Sequence, residues 1–349
     1  SFAKRSIQMD FINKMRIRNT TIFIVLIISM ILTFLVCVAF GSVKIEFKEV
    51  IDVVLRGMDN TEHYKIIYNI RIPRVLATMV GGACLAVSGI LLQIFFKNPI
   101  VEPYILGVSS GSTLSVALMI LGGYTLGFES VNSMSIFVAA FIGALIVMSI
   151  VILFANKVKN ITTLLIIGIM TGYVCSGITN VLQSFANSDK LKEFTMWSMG
   201  SFSGFTWEKV EILIIVGILG LLMTVFIIKP LNAFLLGEEY AKSIGINIRF
   251  FRVLIVFISS ILAAIVSAFA GPIGFIGLAV PQISKLIFKT SDNRVLIPVV
   301  IFLGSIVTAL CDLISRVILS PVELPISTIT SLLGAPIVVM LLVKRKDRA

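Results

Sequence analysis

Thr20-Thr21-Ile22-Phe23-Ile24-Val25-Leu26-Ile27-Ile28-Ser29-Met30-Ile31-Leu32-Thr33-Phe34-Leu35-Val36-Cys37-Val38-Ala39-Phe40-Gly41 carries no charged side chain along its length. A helix crosses a hydrocarbon layer of about 30 Å with roughly 20 such residues, so this stretch reads as a membrane span. It is too long for the core of a cleaved signal and lacks a cleavage-site pattern, so it is expected to be retained. The rest of the chain has the same character. Of 349 residues, 58% are hydrophobic and 13% charged, and the mean hydropathy is +1.06. Soluble domains carry about a quarter charged residues, which excludes that class, and disorder is excluded by the same apolar content. Frequent glycine, long Ile/Val/Leu/Phe runs and the lack of alternating ten-residue segments favour helices over an outer-membrane barrel.

Beyond 20–41, apolar windows place spans near 72–96, 103–121, 133–155, 161–183, 209–229, 251–270, 276–289, 295–318 and 327–343, an all-α polytopic protein of ten helices. Around this single transmembrane domain (20–343) lie a basic N-terminal segment (1–19) and a basic tail (344–349). The third span opens on Asn98-Pro99-Ile100-Val101-Glu102-Pro103, and the short eighth follows Gly271-Pro272-Ile273-Gly274. Broken backbone at membrane depth is tolerated only where protein or a water-filled cavity satisfies it. Both places, with Asn98 and Pro99 at the first, therefore point toward a pathway.

Ten spans put both termini on one side. About two-thirds of the 29 Lys and Arg fall on that side, which the positive-inside rule assigns to the cytoplasm. The net charge of +11 thus lies largely on the cytoplasmic flanks, where anionic lipid accounts for it without nucleic acid. No Gly-x-x-x-x-Gly-Lys-Ser/Thr loop occurs, so phosphate-loop ATP hydrolysis is not this chain's chemistry. The isolated Cys37, Cys84, Cys175 and Cys311 and the single His63 provide neither a disulfide framework nor a metal cluster. Asp312 and Arg316, one turn apart, and Glu323 are the notable ionisable residues of the spans and their outer connections. They are either a self-neutralising pair with a loop carboxylate or the coupling sites of a gradient-driven transporter.

The cytoplasmic segment between the sixth and seventh spans contains Gly237-Glu238-Glu239-Tyr240-Ala241-Lys242-Ser243-Ile244-Gly245. Gly237 stops one element, Glu238 and Glu239 favour a helix start through the macrodipole, and Gly245 ends the helix. So short a helix suits equally a knob for another protein and an ordinary interfacial helix.

Several motifs occur in order along the chain. They are Arg71-Ile72-Pro73-Arg74-Val75-Leu76, Gly81-Gly82-Ala83 and Ser88-Gly89-Ile90-Leu91-Leu92-Gln93, then Asn98-Pro99 with Leu106-Gly107-Val108-Ser109-Ser110-Gly111. Trp197-Ser198-Met199-Gly200-Ser201-Phe202, the 237–245 segment, Gly271-Pro272-Ile273-Gly274-Phe275-Ile276-Gly277-Leu278-Ala279-Val280-Pro281, Glu323-Leu324-Pro325 and Gly334-Ala335-Pro336 follow. Together these resemble the FecCD-type permeases, the membrane subunits of ABC importers for iron chelates, heme and cobalamin. After Pro281, Gln282 and Lys285 stand where many relatives have His and Arg, and Ser291-Asp292-Asn293-Arg294 keeps only part of the usual run.

The resemblance implies a type II ABC importer permease in a bacterial cytoplasmic membrane. It would pair with a second permease chain, identical or related, two ATP-binding subunits that hold ATP and Mg2+, and an external substrate-binding protein. No cofactor is implied for this chain, and its role is non-catalytic. Gly237, Glu238, Glu239, Ala241, Lys242, Ile244 and Gly245 correspond to the helix that couples to the ATPase. The fifth span, entered at Ile161, Thr162 and Thr163, would line and gate the path together with the tenth. Its small-residue face of Gly168, Thr171, Gly172, Ser176 and Thr179 suits either lining or close packing. Arg56 and Arg74 are expected to dock the binding protein, whereas Arg71 reads rather as a headgroup anchor. The expected cargo is an iron complex, siderophore or heme, with cobalamin as the alternative within the family and a gradient-driven transporter as the alternative outside it.

Overall fold

Backbone that crosses hydrocarbon must satisfy its own hydrogen bonds, and a chain this apolar does so with helices. A computed structural model describes residues 2–41, 45, 48, 50–51, 53, 62–122, 132–158, 160–320 and 322–346, and among these there is no strand. In chain order come α1 (Phe2–Ala39), α2 (Glu62–Ile66), a π-helical turn (Ile67–Arg71), α3 (Ile72–Phe95), α4 (Val108–Ile120), α5 (Ser133–Lys157) and α6 (Ile161–Ser184). Then follow α7 (Ser188–Ser198), α8 (Trp207–Phe226), α9 (Ile228–Leu235), α10 (Glu238–Ser243), α11 (Ile248–Ala270), α12 (Ile276–Phe288), α13 (Asn293–Val317) and α14 (Ile326–Lys346). Among the described residues, seven helices are long and apolar enough to cross a membrane, and α4, α12 and Ile326–Met340 of α14 are shorter apolar helices. Each expected span coincides with one of these ten. Helix α1 runs unbroken through the expected boundary at residue 19.

The bundle is organised around α3. Of its most apolar window, 89% is buried, against 22% for the peripheral α6. Helices α13, α11, α12 and α8 surround it. Close approach comes from small residues. The backbone of Gly82 lies against Gly304 of α13, and that of Gly89 against Gly277 of α12. At the outer end, Tyr68 packs 5.0 Å from Trp207, whose indole N–H donates to the Tyr68 carbonyl at 2.9 Å. Such amphipathic rings belong at a membrane interface.

The two doubtful spans are half-helices. Helices α4 and α12 have 13 residues each, about 20 Å at 1.5 Å per residue, short of a hydrocarbon core of about 30 Å. Each is preceded by non-helical chain that turns back into the membrane: 96–107, with a 3₁₀ turn at Pro103–Leu106, and 271–275. The two segments meet each other. The Ile273 amide donates to the Tyr104 hydroxyl at 3.0 Å, and the Glu102 carboxylate faces the Phe275 amide at the start of α12. The Gln93 amide donates to the carbonyl of Gly277 at 3.1 Å and its oxygen accepts from Gln282 at 2.7 Å, while Gln282 also donates to the Pro99 carbonyl at 3.1 Å. The departure at Gln282 is thus a structural tie between the half-helix and the inner turn.

A Cβ at position 89 would collide with the Gly277 backbone. The Gly89→Val variant is expected to lose about 3 kcal/mol or more of stability, read as a lowered thermal midpoint in detergent and a lower yield of folded protein.

Candidate functional site

A cavity of about 260 Å³ lies between the first turns of α4, the outer half of α6 and α7. Ser109, Ser110 and Thr113 of α4 form one wall, Ser176, Thr179, Asn180 and Gln183 of α6 a second, and Phe194 and Ser198 of α7 the third. Among the described residues, no ionisable side chain lines it. Thr113 and Thr179 donate their hydroxyls at 2.9 Å to the carbonyls of Ser109 and Cys175 in their own helices. The Asn180 and Gln183 amides make no hydrogen bond to other described residues. The lining therefore offers neutral donors and acceptors, and no charge, to a ligand.

The small-residue face of α6 divides in two. Gly168 and Gly172 are buried against the chain at Leu106 and Gly107, where the backbones come together, so the inner half of this face is packing. Ser176 and Thr179 line the cavity. Thr171 is half-buried and donates to the Ile167 carbonyl of its own helix at 2.8 Å. Thr162 and Thr163 are exposed at the inner end, Ile161 is half-buried, and the Asn160 side chain caps the helix by accepting from the Thr162 amide at 2.8 Å. Asn98 and Pro99 sit apart from the cavity in the inner turn, the Asn98 side chain accepting from Ile100 at 3.1 Å and the Pro99 carbonyl held by Gln282. The third wall comes from α7 rather than from the tenth span. Sequence reasoning missed α7, although Asn187 before Ser188-Asp189 is a helix-start signal and Leu191, Phe194 and Trp197 recur at helical spacing.

On the cytoplasmic side α10 occupies Glu238–Ser243 between Gly237 and Gly245, whose φ values of +130° and +89° lie where glycine is favoured. Ala241 is buried, whereas Glu239, Tyr240, Lys242, Ser243 and Ile244 are exposed. The helix is seated from both sides. Its N-terminal neighbour α9 is pinned where Asn232 donates to Asp292 at 2.7 Å and accepts from the Asn293 amide at 2.9 Å. Glu238 pairs with Arg252 of α11.

At the outer end a buried charge cluster joins α3, α13 and the loop before α14. The Arg74 guanidinium contacts Asp312 at 2.9 Å and Glu323 at 3.0 Å, and Arg316 reaches the other Asp312 oxygen at 3.1 Å. Arg316 and Arg71 then cap the end of α1: Arg316 donates to the Cys37 carbonyl at 3.3 Å, and Arg71 to those of Val38 and Ala39 at 2.8 and 2.6 Å. Cations suit a helix C-terminus, where the carbonyls lack partners. Two expectations are corrected here. Arg74 is 7% exposed and engages two carboxylates inside the protein, so its guanidinium is not offered to a docking partner. Arg71, 4% exposed, is a cap on α1 and not a headgroup anchor. Asp312, with both oxygens held by arginines, has no free face for a coupling ion. Arg56 lies outside the described residues.

The profile of the FecCD transport family matches residues 26–344. The chain is 36% identical over 278 residues, 80% of its own length and 83% of the relative's, to the vitamin B12 import system permease protein BtuC of Salmonella newport, and equally to that of Salmonella enteritidis. Its fold is similar, with a TM-score of 0.82 and 28% identity over 93% of this chain and 99% of the other, to a structure described as an inward-facing conformation of a metal-chelate type ABC transporter. PsaBC from Streptococcus pneumoniae in complex with Fab shares the fold alone, with a TM-score of 0.51 and 17% identity over 85% of this chain and 95% of that one.

In the charge cluster, Arg74→Gln leaves Asp312 buried with one partner removed and is expected to cost about 3–5 kcal/mol. Glu323, whose side chain is 41% exposed, can be solvated when released, so Glu323→Gln is expected to cost about 1 kcal/mol or less. Chemical or thermal unfolding of both variants in one detergent checks the order.

Proposed function

Because this chain belongs to the FecCD transport family, and is thus the permease of an ABC importer for metal chelates or vitamin B12, we propose that its cargo is a corrinoid. The observation that carries this choice is the 36% identity to vitamin B12 import permeases over 80% of the chain. It favours the cobalamin alternative over the iron complex placed first on the sequence. A second reading, a ferric chelate, draws on the structural similarity to the metal-chelate type transporter.

In this reading two permease chains enclose the path, two ATP-binding subunits hold ATP and Mg2+, and an external binding protein delivers the cargo. Helix α10 seats in a cleft of the ATPase, and closure driven by nucleotide moves it as a rigid body. Its exposed Glu239, Tyr240, Lys242 and Ile244 supply the contact, and the buried Ala241 ties it to the permease. Arg56 is retained as the proposed contact for the binding protein.

The test is uptake into vesicles that hold the assembled complex. Cyanocobalamin is expected to accumulate only with ATP, and ferric siderophore and heme are not. Accumulation of an iron chelate alone would overturn the cargo, and uptake driven by an ion gradient without the ATPase would overturn the class. Within the complex, Glu239→Arg and Gly245→Pro should insert normally yet abolish uptake, since proline fixes φ near −65° where the chain has +89°. Unimpaired uptake in both would remove α10 from the ATPase contact.

A further inference from the structure

Arg252 sits one turn inside α11 and is 9% exposed. It touches two elements that are distant in sequence. One terminal nitrogen pairs with Glu238, the first residue of α10, and the other donates to the carbonyl of Val158 at 3.2 Å. Val158 is the residue that ends α5, and Asn160, two positions on, caps the start of α6. A single guanidinium therefore spans from the base of the cytoplasmic knob to the base of the helix that lines the cavity.

This arrangement is poor as a device for stability. A cation close to a helix N-terminus opposes the macrodipole of that helix, and the buried Nε–H of Arg252 has no acceptor among the described residues, which itself costs free energy. What the residue does provide is a connection of fixed geometry. The planar fork holds two acceptors at once, so a displacement of Glu238 is passed on to Val158 at the end of α5 rather than absorbed by a flexible side chain.

Resting on the reading of α10 as the ATPase contact, we propose that Arg252 is the positioning residue that transmits the movement of α10 to α6. When the knob shifts, the guanidinium carries the α5–α6 turn with it, and α6 tilts at its inner end. The cavity wall formed by Ser176, Thr179, Asn180 and Gln183 moves as part of that helix. Glu238 has the matching role on the knob.

The experiment uses the complete complex in vesicles and reads cargo imported per ATP hydrolysed. With Arg252→Gln and, separately, Glu238→Gln, that ratio is expected to fall about tenfold, within the usual range of a lost coupling between sites. The exchange Arg252→Glu with Glu238→Arg restores the ion pair but leaves nothing at position 252 to donate to Val158. It is therefore expected to restore the yield of complex and not the ratio. Spin labels on cysteines introduced at the exposed positions Lys157 and Ser243, neither of which is assigned to the ATPase contact, give a readout that a merely structural role would not move. Their separation should stay constant between nucleotide-free and ATP-bound states in the parent and should change on ATP binding in Arg252→Gln. An unchanged ratio in both single variants, a ratio fully restored by the exchange, or a separation that behaves alike in parent and variant would overturn the proposal. A parent complex that imports nothing would instead count against the transport reading, and the label separations would still test the linkage.

Discussion

Hydrocarbon offers no hydrogen bonds, and this chain interrupts two of its helices inside it. Everything near the path depends on how the resulting orphan groups are met. Gln93, 3% exposed on the central α3, supplies an amide to the carbonyl of Gly277, and its oxygen is held in turn by Gln282. Tyr104 takes the Ile273 amide. The two re-entrant segments thus satisfy one another through Tyr104 of the first and through Gln93 of the most buried helix. Helix α4 can face a cavity with its first turns, because the broken backbone behind it is already paired. A helix continued through 96–107 would displace the first turn of α4 and the wall now formed by Ser109, Ser110 and Thr113.

The outer end is held by charge rather than by packing. Arg74 and Arg316 with two carboxylates join α3, α13 and the loop before α14, and Arg316 together with Arg71 closes the end of α1. Burying these ions is costly, and each is matched by a partner or by a carbonyl, which is the condition for tolerating them. The inner end is built differently. There Asn232, Asp292 and Asn293 pin α9, and Arg252 links α10 to the turn before α6. The outer cluster closes on itself within one end of the bundle, whereas the inner contacts lead from a surface helix to the lining of the cavity.

Much of the fold was legible because the bilayer imposes a length on apolar runs, and the ten windows read from the sequence match ten helices to within a few residues. The shortness of α4 and α12 was visible in Pro99, Pro103 and Gly271-Pro272, residues that halt a helix. The knob at Glu238–Ser243 was visible in its bounding glycines. Side-chain pairing was not. Asp312 and Arg316 announced themselves by i, i+4 spacing, but Arg74 lies 238 positions from Asp312, and no local pattern reveals that its charge turns inward. For the same reason Arg74 read as a surface residue. Helix α7 escaped because it is amphipathic and short, with a polar composition that resembles a loop, and its wall of the cavity escaped with it.

The hydroxyls on the cavity wall return their hydrogen bonds to their own helices, Thr113 to Ser109 and Thr179 to Cys175, and the Asn180 and Gln183 amides bond to no other described residue. None of these groups holds one helix to another. Selection can therefore exchange them at little cost to folding, while the paired glutamines and the arginine cluster constrain their own positions tightly. On the function proposed, a lineage can vary one wall of the cavity by drift, with the scaffold and the machinery that drives it inherited unchanged.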